Sequence, residues 1–226
     1  MKLFVNSVFI IFFILAISHS HSAPHDNGVH SSKACLTDPS KAALDIVLVI
    51  DVSANNGPTK VSQITALTKS ILSKFTISSD KNYTLSNPTS RVGIITYSDN
   101  ITITANITSL NSYQDVSNTL SSIVGSTSDW GADYASAIDH LFLYNAILDP
   151  SNVRPPVLLT FASATKTQNV LDRKYMTYTM ITVNYNIGNN AVASFLTQIA
   201  NPGMAFRSSS PTLEQDILNS ILQATC

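Results

Sequence analysis

Charge is scarce in this sequence. Lys, Arg, Asp and Glu make up 12% of 226 residues, and 13 basic against 14 acidic side chains leave a net charge of −1. That is about half the charged share of an ordinary globular chain. No basic face is available to displace counterions, which argues against nucleic-acid binding. No acidic block reads as a solvating tail. Cysteine is scarcer still: Cys35 and Cys226 are the only two, too few for a disulfide-dense miniprotein or an all-cysteine zinc site. Past residue 34 the one histidine is His140, placed within a helical pattern over 132–146. There is no G-x-S-x-G elbow, no G-x-x-x-x-G-K-[ST] phosphate loop and no H-E-x-x-H pair. A Ser-His-Asp hydrolase needs a histidine beside its nucleophile, so His140 is the test of a hydrolase reading, and it reads as a helix-surface or boundary residue; scattered Asp and Glu leave a carboxylate pair open. The expectation is that the chain is not an enzyme.

What is present begins with an export signal. Lys2 is followed by an apolar run over 8–17 and by small residues at Ser18, Ser20 and Ser22. About ten apolar residues suit a signal peptide and fall short of a membrane span. Residues 1–22 are therefore expected to be a signal, cut around 18–22, with Pro24 disfavouring a cut after Ala23. No later stretch has the length of a membrane helix, so the mature chain is expected to be secreted and to lack a membrane span. Three sequons fit that route: Asn82-Tyr83-Thr84, Asn100-Ile101-Thr102 and Asn106-Ile107-Thr108. Asn87-Pro88-Thr89 fails because its middle residue is Pro. In an oxidising compartment Cys35 and Cys226 either pair with each other or with another chain. The internal bridge is preferred, because domain termini often lie close together.

Residues 23–43 read as a flexible leader containing Cys35, and the folded domain as 44–226. A new terminus at His19-Ser20-His21 would carry the nitrogens of a Cu(II) or Ni(II) site, although a solvated tail explains the same residues. From Leu44 the pattern is regular. Residues 46–50 and 157–161 are continuous apolar runs, as in strands buried on both faces. Residues 92–97 and 180–183 are two more strand cores, and 204–206 a short one. Val61, Ile64, Leu67, Ile71, Leu72 and Phe75 fall at helical spacing. Helical patterns recur at 113–124, 132–146, 191–200 and from Leu213 on. Residues 101–108 alternate, with Ile101, Ile103, Ala105 and Ile107 on one face, as in a hairpin strand with one wet side. A glycan at Asn106 would stand on that wet side and guard an edge strand. The plan is α/β: a Rossmann-like, mostly parallel central sheet with one antiparallel edge strand and helices on both faces.

In such sheets ligands bind beyond the carboxyl ends of strands. Asp51 sits at such an end, and Asp51-Val52-Ser53-Ala54-Asn55 places side-chain oxygens at every second residue, an arrangement able to converge on a hard cation. The same residues fit a loop whose Asp caps its own amides.

At these residues the chain resembles the von Willebrand factor type A domain family. Asp51-Val52-Ser53-Ala54-Asn55 after a hydrophobic strand is similar to that family's opening. Arg91-Val92-Gly93-Ile94-Ile95-Thr96-Tyr97 resembles its second strand, and Ala200-Asn201-Pro202-Gly203-Met204-Ala205-Phe206 a segment near its end. The resemblance runs over about residues 44–225 and looks closest to secreted nematode members, some joined to C-type lectin domains, a module this sequence does not contain. It implies a metal-ion-dependent adhesion site built from D-x-S-x-S, a Thr of a second loop and an Asp after the fourth strand. Asp51 and Ser53 match, Asn55 stands for the second Ser, and Thr127 is the candidate Thr with Ser128 as rival. Phe161 falls where the last Asp is expected, and Asp129 is the neighbouring carboxylate that would compensate. The expectation is a degenerate site with no resident cofactor, Mg2+ being the candidate if a cation binds. The ligand rim would then be Trp130, Phe161 and Asp129, with packing at a helix start as the plain alternative for Trp130. The function implied is a non-enzymatic adhesion-type module for an extracellular protein or glycan. A structural extracellular-matrix component is the alternative, and a secreted hydrolase the remote one.

Overall fold

The computed structural model describes residues 34–81, 84, 86–143, 154–164 and 178–226, and these belong to one compact unit, Lys33–Cys226. The expected signal, the His19 start and Asn82 lie outside the described residues, as does the side chain of His140.

Alternating strands and helices build one six-stranded sheet. The elements are β1 (Asp45–Asp51), α1 (Gly57–Leu72), β2 (Arg91–Tyr97), β3 (Ile101–Ala105), α2 (Tyr113–Ser122), α3 (Tyr134–Leu143), β4 (Pro156–Ala162), β5 (Thr179–Asn184), α4 (Asn190–Ile199), β6 (Ala205–Arg207) and α5 (Leu213–Gln223). The strand order is β3-β2-β1-β4-β5-β6. Only the β2–β3 pair is antiparallel. The α/β plan and its antiparallel edge strand are therefore both present.

The apolar run of β1 is continuous because helices cover both sides. Ile46, Leu48 and Ile50 face one layer with Ile64 and Ile71 of α1, Val116 and Leu120 of α2, and Ile217 and Ile221 of α5. Val47 and Val49 face the other, with Tyr134 and Ile138 of α3 and Val192 and Leu196 of α4. A strand with no wet side has no polar position to alternate with. Thr68 is buried inside α1 and satisfies its hydroxyl by donating to the Ile64 carbonyl at 2.7 Å. Asn189 caps α4, its Oδ1 accepting from the amides of Ala191 and Val192.

Two departures from the sequence pattern have local causes. Ile103 is 37% exposed and the strand stops at Ala105. Ile94 pairs with Ala105 while Ile95 pairs with Ile103, so Thr104 is an extra residue opposite one step of β2. A bulge resets the two-residue period, and the alternation read through 101–108 does not hold. The domain also starts before Leu44. A short 3-10 turn, Pro39–Lys41, is capped by Asp38, Ala42 is fully buried, and the Leu36 amide donates to Thr225 Oγ1 at 2.9 Å. Cys35 and Cys226 are joined across a sequence separation of 191 residues. Closing so long a loop removes unfolded-chain entropy worth about 5 kcal/mol at most.

Candidate functional site

Sheet order reverses direction between β1 and its neighbours, since the chain moves outward to β2 on one side and to β4 on the other. The crevice at the carboxyl ends of β1 and β4 is the switch point. Asp51 closes β1 there with no solvent exposure, as does Ser53 just beyond it. Asp51 Oδ1 accepts from the Ser53 amide at 2.9 Å. Its Oδ2 accepts from the amides of Ser163 at 3.1 Å and Ala164 at 3.3 Å, in the turn after β4. Burial pushes the Asp51 carboxyl above its ordinary range, while the Ser53, Ser163 and Ala164 bonds pull the other way. Asp51 thus ties the β1 and β4 turns together.

Asn55 is bound through its amide nitrogen. Nδ2 donates to Ser53 Oγ at 3.2 Å and to the Trp130 carbonyl at 3.3 Å. A carbonyl can only accept, so the nitrogen, not the oxygen, faces these groups. Asn56 is buried, donates to the Asp51 carbonyl at 2.6 Å, and its Oδ1 accepts from the Ser163 hydroxyl. Lys60, in the first turn of α1, reaches the same place. Its Nζ donates to the Asn55 carbonyl at 3.0 Å and to Ser163 Oγ at 3.5 Å.

The loop between α2 and α3 forms the neighbouring wall. Ser126 donates its amide to the Val52 carbonyl at 2.7 Å, and its Oγ accepts from the amides of Ser128 and Asp129. Thr127 and Ser128 are exposed at the tip. The wall is close because two glycines allow it. A Cβ on Gly125 would stand 2.3 Å from the Gly57 carbonyl oxygen, and one on Gly131 would stand 1.7 Å from Asp99 Oδ1. Neither glycine is marked by a local sequence pattern, because the close approach is between distant segments. Trp130 projects from this wall at 67% exposure. Its indole lies largely in solvent and is not packed into the core at the α3 start.

Two expectations for the site are corrected. Phe161 is fully buried, facing Tyr185 edge-on in the layer under α1 and α5. It is not part of the rim. The cause is sheet parity: Phe161 pairs with Ile50, so continuing that register sets Ala162 beside Asp51. A one-residue offset sends a strand side chain to the opposite face. The row across the sheet is then Tyr97, Asp51, Ala162 and Asn184, and β4 contributes a methyl group at the position where a carboxylate was expected. Asp129 does not compensate. Its carboxylate accepts from the amides of Asp99 and Gly131, facing the β2–β3 turn. Bonds from the Ser98 hydroxyl and then from these amides hold its carboxyl below the ordinary range.

These residues do not fit a divalent cation. Asn55 offers hydrogens where an oxygen is needed, Ser53 Oγ already accepts twice, β4 supplies Ala162, and an ammonium stands beside Ser163. Among the described residues no three His, Cys, Asp or Glu side chains cluster, and no helix is long and apolar enough to cross a membrane.

The architecture and the Asp51 turn define a Rossmann-like α/β domain with its switch point at the carboxyl ends of β1 and β4. The family profile of the von Willebrand factor type A domain matches residues 45–220, and the chain belongs to that family. Solved structures of similar fold include proximal thread matrix protein 1 from the mussel byssus, at 13% identity and a TM-score of 0.64, covering 82% of this chain and 49% of that one. The same mussel protein, solved with zinc occupying its MIDAS motif, superposes at 12% identity and a TM-score of 0.65, covering 82% of this chain and 48% of that one. The chain spans about half the length of these neighbours. At such identities the likeness is one of fold. No relative among curated proteins matches the sequence.

Proposed function

We propose that this chain is a secreted, non-enzymatic binding module of adhesion or matrix type, close in kind to the secreted nematode members of its family. Its ligand, an extracellular protein or glycan, is engaged at the carboxyl-edge rim without a resident cofactor. One observation carries the reading: Trp130 stands 67% exposed on a wall hydrogen-bonded to the Asn55 turn at the switch point. Large aromatic side chains left in water at such a place are typical binding anchors. Ile187, 52% exposed, lies in the adjacent turn after β5, where Asn186 Nδ2 donates to the Ser163 carbonyl at 3.1 Å.

Export fits the apolar start of the chain and the Cys35–Cys226 bridge. Asn100 and Asn106 flank the edge strand β3 and are exposed. Thr108 donates its backbone and hydroxyl groups to Asn106 Oδ1, both at 3.1 Å. Glycans on these asparagines would shield β3 from pairing with another chain. A matrix component acting through self-assembly is the second reading, favoured by the fold shared with a byssal matrix protein.

Capture of extracellular proteins on the immobilised wild-type chain and on Trp130→Ala tests the rim. The expected result is loss of the specific partner with Trp130→Ala. An unchanged partner set removes Trp130 and the rim from the account. Concentration-dependent oligomers in place of capture would favour the matrix reading.

A further inference from the structure

We propose that the chain covers part of its own rim with sugar: an N-linked glycan on Asn100 packs its first sugars against Trp130 and so governs access to that indole. The inference rests on export of the chain and on Trp130 being part of the rim, and it names a modification that regulates the rim.

Two segments bring the attachment point and the aromatic ring together. Asn100-Ile101-Thr102 is a sequon. Asn100 closes the turn that links β2 to β3, its carbonyl accepting from the Ser98 amide at 2.9 Å. That turn is fastened to the segment carrying Trp130 on both sides of the tryptophan. The Asp99 amide donates to the Asp129 carboxylate at 3.2 and 3.3 Å. Gly131 lies so close that a Cβ there would stand 2.6 Å from the Asp99 amide nitrogen. The Asp133 amide donates to the Ser98 carbonyl at 3.3 Å. Asn100 and Trp130 are each one residue from these contacts. With about 3.8 Å between consecutive Cα atoms, their own Cα atoms lie within about 13 Å of each other. An asparagine side chain carrying two sugars spans that gap.

Both partners stand in solvent. Asn100 and Thr102 are exposed, so the folded chain leaves room for a bulky glycan. Trp130, the only tryptophan of the sequence, is 67% exposed. An indole face is electron-rich, and one face of N-acetylglucosamine is a set of axial C–H bonds of opposite polarity, so the two stack. The sugar hydroxyls at the ring edge stay in water. Covering the indole in this way keeps an apolar ring on a chain poor in charge from self-association. Asn106 provides the contrast. β3 runs antiparallel to β2, with Ile101 opposite Tyr97 and Ala105 opposite Ile94. Asn106 therefore stands at the far end of the strand, about 20 Å from Asn100. The first sugars of a glycan there shield the edge strand and lie out of reach of Trp130.

The test uses the full chain secreted from insect cells, with site occupancy read by glycopeptide mass spectrometry. Trp130 is the single tryptophan, so fluorescence excited beyond the tyrosine absorption reports on it alone. Acrylamide should quench the wild type and Asn106→Gln about half as strongly as Asn100→Gln, as expected when a sugar covers one of the two indole faces. Thr102→Ala removes the sequon and leaves Asn100 in place, and it should match Asn100→Gln. Enzymatic removal of the glycan from the folded wild type should raise quenching to the same level. A secreted chain bare at Asn100, equal quenching of the wild type and both sequon variants, or an equal change in Asn106→Gln would each overturn the proposal. Retention of the chain inside the cell would overturn both the proposal and the export reading beneath it. If quenching is equal while capture still depends on Trp130, the rim stands and the role of the glycan falls.

Discussion

β1 begins and ends with an aspartate, and both are fully buried. They are met in opposite ways. Asp45 receives the Arg91 guanidinium through two bonds of 2.7 Å, a fork on a carboxylate. Asp51 receives backbone amides and, among the described residues, no cation. The first end of the strand is a closed ion pair buried away from solvent. The second is a carboxylate spent on organising two turns. The contrast separates a buried charge that ties β1 to β2 from one that ties two turns together at the carboxyl edge.

The strongest way to break this comparison is to alter β4 beside each parity. Phe161→Asp should be the most damaging change, about 5 kcal/mol or more, since it loses a core ring and buries an unpaired charge. Ala162→Asp puts its carboxylate on the Asp51 face instead. It should cost about 3 kcal/mol in EDTA and regain part of that in Mg2+, as urea denaturation will show. Equal losses for the two variants, unaffected by Mg2+, would mean the parity assignment is wrong.

Breaking the closed end comes next. Arg91→Ala should cost about 4 kcal/mol in the same assay, because it strands the Asp45 charge in the core. A loss under about 1 kcal/mol would erase the difference between the two ends.

Acidity sharpens the open end. The folded Asp51 carboxyl holds its proton to higher pH than an unfolded one, so its contribution to stability is fully present below the ordinary carboxylate range. It is lost as pH rises through the raised value. Asp51→Asn removes that term. Relative to this variant the wild type should therefore be more stable in acid than at neutral pH. Asp129 has the opposite sign. Its lowered value means stability present at neutral pH and lost on acidification, and Asp129→Asn should flatten that part of the acid limb. A wild-type and Asp51→Asn pair with parallel pH profiles would remove burial as the governing influence.

The smallest effect on stability should come from Trp130→Ala, within about 0.5 kcal/mol, as for an exposed surface change. Thermal unfolding checks this. A large drop would make Trp130 a packing residue after all.

The fold was legible because apolar runs and helical spacing are local signals. Ile46–Ile50 declared a doubly covered strand, and the α1 stripe declared its core face. Asp51 and Ser53 were legible as a turn at a strand end. Their partners were not, because Ser163, Ala164, Lys60 and Trp130 come from three other segments, and only strand order brings them together. Phe161 shows the limit most clearly. Reading along β4 gives the residue types, but not which one stands beside Asp51, since that depends on register with β1.

Alternating apolar segments determined by themselves that this is an α/β domain with a mostly parallel sheet. Periodicity suffices for such a conclusion, since burial depends on residue types more than on neighbours. Tertiary structure alone decided that β4 offers Ala162 in place of a carboxylate, that Asn55 presents its amide nitrogen, and that Lys60 reaches Ser163. Those are properties of register and of hydrogen bonds between distant segments, and no local sequence signal encodes them.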